Sequence, residues 1–314
     1  MSGQADRGMR VALVAGATRG AGRAIAVELA RAGIFVYATG RSSRESGPSE
    51  MDRPETIEET GDLIRAVSGQ GSALVVDHED PASVGALLAT IEADHGRLDV
   101  LVNDIFGGDR YSEWDKPLWE HDWTRGLRML QMGVHTHLIT LRAAIPLILR
   151  TATTGGATGL VIEVTDGTSE ANAEFRRNVG FYYDLVKANV ERIVTGLNAE
   201  LKDHPVTAVG VTPGWLRSEK MLENFGVTED TWRDALVKIP GFAISESPAY
   251  IGRGVAALAT AADANRWAGT IVSARQLADA YDLSDTDGSK PDCWGYLEAY
   301  GWDRDDGEGV DRFR

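Results

Sequence analysis

The chain of 314 residues has almost no cysteine: Cys293 stands alone. An internal disulfide is therefore excluded, and a reducing, cytoplasmic setting is expected. Long apolar runs are missing too. None approaches the ~18 residues that span a bilayer, so no membrane partner is expected. The opening stretch MSGQADRGMR has no apolar core and does not read as a secretory signal. Positive charge is scarce: 32 Lys and Arg face 47 Asp and Glu, a net charge of −15. Such a chain repels phosphate backbones, which argues against nucleic acid as a partner. The imbalance is strongest between Asp282 and Arg314, with ten acids against four bases, and reads as a solvated tail. Internal repeats and low-complexity linkers are also lacking, so one domain is expected.

What is present is alternation. Residues 10–16 (RVALVAG) form a valine-rich run that ends at Gly16. Residues 22–33 (GRAIAVELARAG) carry apolar side chains at helical spacing, and 34–40 (IFVYATG) read as a second strand. The pattern continues. Helices are expected over 55–71, 80–96, 127–150, 181–202 and 247–260. Strands are expected over 72–77, 98–104, 159–166, 206–213 and 267–274. Short apolar strands separated by helices predict an α/β fold, a doubly wound parallel sheet of about seven strands with helices on both faces. Two segments break the alternation, 106–126 with three tryptophans and 221–246. Both begin at strand C-termini, the edge where open α/β sheets bind ligands, so a substrate pocket or lid is expected there.

Between the first strand and helix lies GATRGAGR, residues 16–23. Glycine permits a tight turn and close backbone approach, and the helix start offers free N–H groups to a pyrophosphate. Gly16, Thr18, Arg19, Gly20, Ala21 and Gly22 are therefore candidate cofactor contacts. A cofactor without a 2′-phosphate usually finds an acid after the second strand. Here that place holds Gly40 and Arg41. Two guanidiniums, Arg19 and Arg41, favour NADP(H), with NAD(H) left open. Farther on, Tyr183 and Lys187 stand four residues apart on a helix and share a face. A nearby ammonium favours the phenolate and lowers the phenol pKa towards neutrality, which makes Tyr183 a candidate general acid or base.

The glycine loop, Tyr183-x-x-x-Lys187 on a later helix and their separation together resemble the short-chain dehydrogenase/reductase family, over residues 10 to about 275. The resemblance implies a Rossmann-fold oxidoreductase, homodimeric or homotetrameric, that moves hydride between a nicotinamide and a small-molecule carbonyl or alcohol. It divides the chain into a disordered lead-in (1–8), a catalytic domain (9–275) and an acidic extension (276–314). It assigns Asp77 and the adjoining His78 to the adenine end of the cofactor, and Asn103 to support of the central strand and cofactor. Pro213 and Gly214 match the turn beside the nicotinamide, and Ser218 the residue that bonds its carboxamide. Lys187 would bond the nicotinamide ribose, and Tyr183 would protonate the substrate oxygen.

The chain also departs from the family. Asp104-Ile105-Phe106-Gly107 replaces part of the asparagine motif. Asp166 stands where a serine normally bonds the substrate carbonyl, and the loop onward to Tyr183 is enlarged. The helix asparagine that anchors a relay water falls near 131–133, where the candidates are Gln131, Met132 and Gly133, with His135 or His137 as substitutes. Three readings of Asp166 stay open. It binds substrate or accepts a proton; or Thr165, Thr168 or Ser169 supplies the missing hydroxyl; or Asp166 merely caps the strand as an Asx-turn residue. The first two define an NADP(H)-dependent oxidoreductase with Tyr183, Lys187, Asp166 and Thr165 as its catalytic set. The third leaves a nucleotide sensor, and the Tyr–Lys pair could also serve a lyase or epimerase. Trp114, Trp119, Trp123 and Trp215 are expected to line a pocket for a bulky or aromatic substrate. No metal site is expected. The acidic extension, with Trp294 and Trp302, would fold over a neighbouring subunit or stay loose.

Overall fold

The computed structural model describes residues 8–67, 70–155, 157–301 and 306–314. The lead-in through residue 7 and Trp302 lie outside the described residues. Seven strands form one sheet: β1 (Val11–Ala15), β2 (Phe35–Gly40), β3 (Gly71–Val75), β4 (Val100–Asn103), β5 (Gly159–Val164), β6 (Val206–Thr212) and β7 (Ile271–Ser273). Their order is β3-β2-β1-β4-β5-β6-β7, with every pairing parallel. Strands β1, β4, β5 and β6 are buried throughout, which is why they read as unbroken apolar runs rather than as alternating ones.

The helices are α1 (Gly20–Arg31), α2 (Ile57–Val67), α3 (Pro81–His95), α4 (Trp123–Leu130), α5 (Thr136–Gly155), α6 (Ser169–Ala173), α7 (Phe181–Glu200), α8 (Glu219–Phe225), α9 (Pro248–Thr260), α10 (Ala274–Tyr281) and α11 (Cys293–Tyr300). Local chemistry sets their ends. Helix α3 starts because the Asp80 carboxylate accepts the Ala82 and Ser83 N–H groups and Pro81 brings a preset φ; it stops at left-handed Gly96. One core lies between the sheet and α1, α9 and α10; the other lies beneath α3, α5 and α7 on the opposite face. Helices α4 and α5 run on through a π-turn at Gln131–His135, so the rod begins at Trp123 rather than at residue 127. By length and hydropathy this rod could cross a membrane. Here Leu141, Ala144, Leu147, Ile148 and Ala152 bury one side of it in the core.

The described part of the acidic tail packs against the chain's own body. Helix α10 crosses the boundary expected at 275, and Cys293, Tyr296 and Val310 pack with Ile244 and Trp215 of the chain's own 213–246 segment. Trp294 Nε1 donates to the Pro213 carbonyl at 2.8 Å. Its aromatic residues give the tail an apolar face that its charge had obscured.

Strands β1 and β4 are neighbours, yet their connections leave in opposite directions. A crevice opens where they diverge, at their C-terminal ends. Gly16 makes that crevice possible. Its φ is +89°, and a Cβ there would lie 2.4 Å from the Asp104 carbonyl oxygen.

Candidate active site

One continuous cavity of about 850 Å³ fills the crevice. Gly16, Thr18, Arg19, Gly20 and Ala21 line its β1 end, with Arg41, Asp77 and His78 beside them. Thr165, Asp166, Tyr183 and Lys187 line its β5 side, and Pro213, Gly214 and Ser218 line the β6 side. Two expected cofactor residues stand behind the wall. The Gly22 N–H bonds the Asp104 carboxyl, which burial pushes up to about 6 against the pull of Lys187. Asn103 is fully buried, and its amide donates to Glu163 Oε1 at 2.8 Å and to the His137 carbonyl at 3.4 Å. Glu163 Oε2 in turn meets His137 Nδ1 at 2.6 Å. Burial opposes charge on His137, but Glu163 outweighs it and raises the imidazole pKa. This network braces β4, β5 and α5 beneath the cavity.

Helix α7 carries the Tyr183–Lys187 pair. It starts at Gly180, whose φ of +82° and close approach to the Glu113 carbonyl leave no room for a Cβ. The 106–126 segment is thereby docked against the first turn of α7. Tyr182 packs on Gly126, whereas Tyr183 faces the cavity between Phe106 and Trp114, at ring distances of 5.5 and 5.9 Å. The Lys187 ammonium lies 3.7 Å from the Phe106 ring centroid and 5.5 Å from that of Tyr183.

The Tyr183 hydroxyl donates to Asp166 Oδ2 at 3.0 Å. This corrects the expectation of a near-neutral phenol pKa. Burial, then the Asp166 and Asp109 carboxylates, hold the phenol well above its ordinary value. Burial also lowers the Lys187 pKa, against the pull of Asp166, Asp109 and Asp104. Asp166 is therefore more than a strand cap. Thr165 donates its hydroxyl to the Lys187 carbonyl at 2.7 Å, so that proton is committed to α7. Thr168 caps α6, and Ser169 begins that helix.

At the β1 end, Arg41 is already paired. It bonds Glu79 at 2.9 Å and Glu50 at 3.1 Å, and Arg128 bridges the same two carboxylates. A Cβ on Gly40 would lie 2.0 Å from Thr18 Oγ1, so any side chain at that position would require Thr18 to shift. Asp77 is exposed, while His78 is buried between Thr39 and Thr140; burial lowers its pKa to about 4 and keeps it neutral. Ser218 caps α8, and the next residue, Glu219, accepts the Gly20 N–H at 2.9 Å.

The helix positions expected to hold a relay group bring no free polar side chain to the cavity. Gln131 and His135 are exposed on the outer face, and His137 is committed to Glu163 and the Ile105 carbonyl. The rod presents Met132 and Thr136 to the cavity, and the Thr136 hydroxyl donates to the Met132 carbonyl. Of the four tryptophans, Trp114 and Trp215 line the cavity; Trp119 and Trp123 are 84% and 65% exposed. The sequence reading missed Arg176, Glu219 and Arg217. The first two are charged cavity-lining residues, and Arg217 is a fully buried guanidinium behind the 213–246 segment.

A doubly wound parallel sheet, a glycine turn at the start of α1 and a Tyr–Lys pair in one crevice define a dinucleotide-dependent α/β enzyme. The short chain dehydrogenase family profile matches residues 10–229. Dehydrogenase/reductase SDR family member 1 of Mus musculus is 30% identical over 284 residues, covering 89% of this chain and 84% of that protein. The 3-oxoacyl-acyl-carrier-protein reductase of Pseudomonas aeruginosa is 27% identical, covering 77% and 92%. Among solved structures, a short chain dehydrogenase from Shigella flexneri complexed with NADP superposes with a TM-score of 0.65 at 20% identity, covering 85% of this chain and 97% of that one. An NADH-dependent reductase complexed with NAD gives 0.63 at 20% identity, covering 85% and 95%. The chain belongs to the short-chain dehydrogenase family, and it is an oxidoreductase of the type that acts on alcohol and carbonyl groups.

Proposed function

We propose that the chain is an NADP(H)-dependent oxidoreductase that interconverts a carbonyl and an alcohol on a bulky, largely apolar small molecule. One observation carries this reading: Tyr183, Lys187 and Asp166 share a single cavity with the N-terminus of α1. The residues present fit a nicotinamide dinucleotide. The α1 N–H groups and Arg19 suit its phosphates, and Lys187 and Ser218 would hold its nicotinamide end. When bound, the cofactor supplies or accepts hydride. Tyr183, held protonated, donates its phenolic proton to a carbonyl oxygen and recovers one from an alcohol in the reverse direction. Phe106, Trp114, Trp215 and Leu216 provide the apolar walls. A cytoplasmic location and a homodimer or homotetramer complete the proposal, supported by the lone buried thiol and by the family resemblance.

The test is binding of NADPH and NADH by nicotinamide fluorescence, followed by a panel of aryl and alicyclic ketones read by NADPH absorbance. NADPH should bind the tighter. Arg41→Ala should cost NADPH about tenfold in affinity and leave NADH nearly unchanged, because only the 2′-phosphate uses that guanidinium. Equal losses for both cofactors would sink the phosphate role and leave Arg41 as the partner of Glu50 and Glu79.

Glu219 gives a second expectation. Its carboxylate sits on the α1 N-terminus and 3.5 Å from Arg23, where the dinucleotide phosphates would lie. It must yield to them. Glu219→Ala should therefore tighten NADPH binding by about threefold to tenfold, the worth of one anion at a helix start. Weaker binding in that variant would show that Glu219 instead supports the bound state.

A further inference from the structure

We infer that Asp166 is the proton acceptor for Tyr183 during alcohol oxidation, and that Arg176 is the positioning residue that holds its carboxylate against the phenol. The inference rests on the oxidoreductase reading above. Its first support is geometric. Asp166 Oδ2 accepts the Tyr183 hydroxyl at 3.0 Å and lies 3.4 Å from Arg176 Nη1. Arg176 is buried and tied to Asp184 through Nε at 3.0 Å and through its backbone N–H at 3.3 Å. Asp184 adjoins Tyr183 on α7. The guanidinium is thus anchored to the helix that carries the phenol, and it reaches back to the carboxylate on the β5 loop.

The second support is that, among the described residues, the α4–α5 rod presents no free proton acceptor to the cavity. Along the α4–α5 rod, the groups that face the cavity are Met132 and Thr136, and the Thr136 hydroxyl is spent on a carbonyl. Asp166, by contrast, has a side chain 34% exposed to the cavity. A proton delivered there can leave for solvent. The charged and titratable groups around it come from four elements: Tyr183 and Lys187 on α7, Arg176 in the enlarged loop, Asp109 after β4 and Cys293 on α11.

The step balances. The alcohol O–H bond breaks, and its proton goes to the Tyr183 oxygen. The Tyr183 O–H proton passes to Asp166 Oδ2. The carbinol C–H hydrogen leaves with its electron pair as hydride to the oxidised nicotinamide dinucleotide, and the C=O bond forms. Asp166 then releases its proton to solvent. Reduction reverses each transfer and needs Asp166 protonated.

Two measurements test this. The first needs no substrate: the tyrosinate absorbance difference between the protein and its Tyr183→Phe variant, followed over the alkaline range in which circular dichroism shows the fold intact. In an Asp166→Asn background the Tyr183 signal should appear at lower pH, by about one unit or more. No movement would overturn the inference, because the carboxylate would not be bonding the phenol. The second is the pH profile of 1-arylethanol and cyclohexanol oxidation with NADP+. Asp166→Asn should slow turnover by about tenfold to a hundredfold and erase the acid limb. Arg176→Gln should lower kcat by about tenfold with KM little changed, and Arg176→Lys should restore it in part. A change confined to KM with an unaltered profile would reduce Arg176 to a structural residue and overturn its role. If no alcohol turns over, the oxidoreductase reading fails on that substrate class, and the tyrosine titration still decides the contact.

Discussion

Replacing Tyr183 with phenylalanine will lower kcat/KM for ketone reduction by roughly 10²–10⁴ and leave NADPH affinity within about twofold, the pattern of a lost proton donor. The argument begins with packing. The Tyr183 ring makes edge contact with Phe106 and a tilted contact with Trp114, and phenylalanine keeps both. Its hydroxyl bonds Asp166 and no part of the cofactor end of the cavity. The variant therefore removes one proton and little volume. Asp166 keeps Arg176 as a partner, so no bare carboxylate is stranded. Stopped or steady-state assays with NADPH, beside fluorescence binding, separate the two quantities. Unchanged turnover would remove Tyr183 from acid–base chemistry. Turnover of a substrate without net NADPH oxidation, lost in the same variant, would favour a lyase or epimerase that uses the Tyr–Lys pair.

The parts that sequence could place are those governed by local period. Parallel strands buried on both faces appear as apolar runs, and the helices between them appear as 3.6-residue stripes; hence the strand count and order of elements agree with expectation. Tyr183 and Lys187 are four apart on one helix, so their proximity needs no knowledge of the fold. The glycine turn is equally local. What escaped was set by loop paths. Arg176 reaches Asp166 from ten residues on, past the short helix α6, and Glu219 reaches Gly20 from 199 residues away. Neither has a spacing signature. Arg41 was legible as a cation beside the ribose, but not as the partner of Glu50 and Glu79, which arrive from two other segments. The phenol pKa failed for the same reason. Lys187 was visible on its helix, whereas the burial and the carboxylates that outweigh it are tertiary. Tryptophan positions were legible and their facing was not: nothing in the stretch around Trp119 and Trp123 tells a pocket wall from a solvent face.

Arg217→Met should destabilise the protein by about 3–5 kcal/mol, lowering Tm by on the order of 10 °C, because it strands a buried carboxylate. Arg217 is fully buried, and so is its partner Asp285, whose Oδ2 lies 3.1 Å from Nη2. The same guanidinium bonds Glu229 at 2.8 Å and the Ser245 carbonyl at 2.8 Å, and stacks 4.5 Å from the centroid of Trp232. Methionine approximates the stem and keeps the contact with Trp232. It gives Asp285 no countercharge, and the remaining donors from Ser247 and Thr286 are dipoles only. The exposed side of the cluster is the control. Glu229 is 41% exposed, so Glu229→Gln should cost only about 1 kcal/mol or less. Calorimetry on both variants reads the contrast, and equal Tm values would show that the buried pair contributes little net stability. The damage should also reach the site. Arg217 ties the segment carrying Trp215, Leu216 and Ser218 to the tail around Asp285, and those three residues line the cavity. A folded Arg217→Met sample at low temperature should therefore show a raised KM for ketones with kcat less affected, since Tyr183, Lys187 and Asp166 stand on other elements. A kcat loss with KM unchanged would mean that the segment shapes the reacting geometry and not merely the walls.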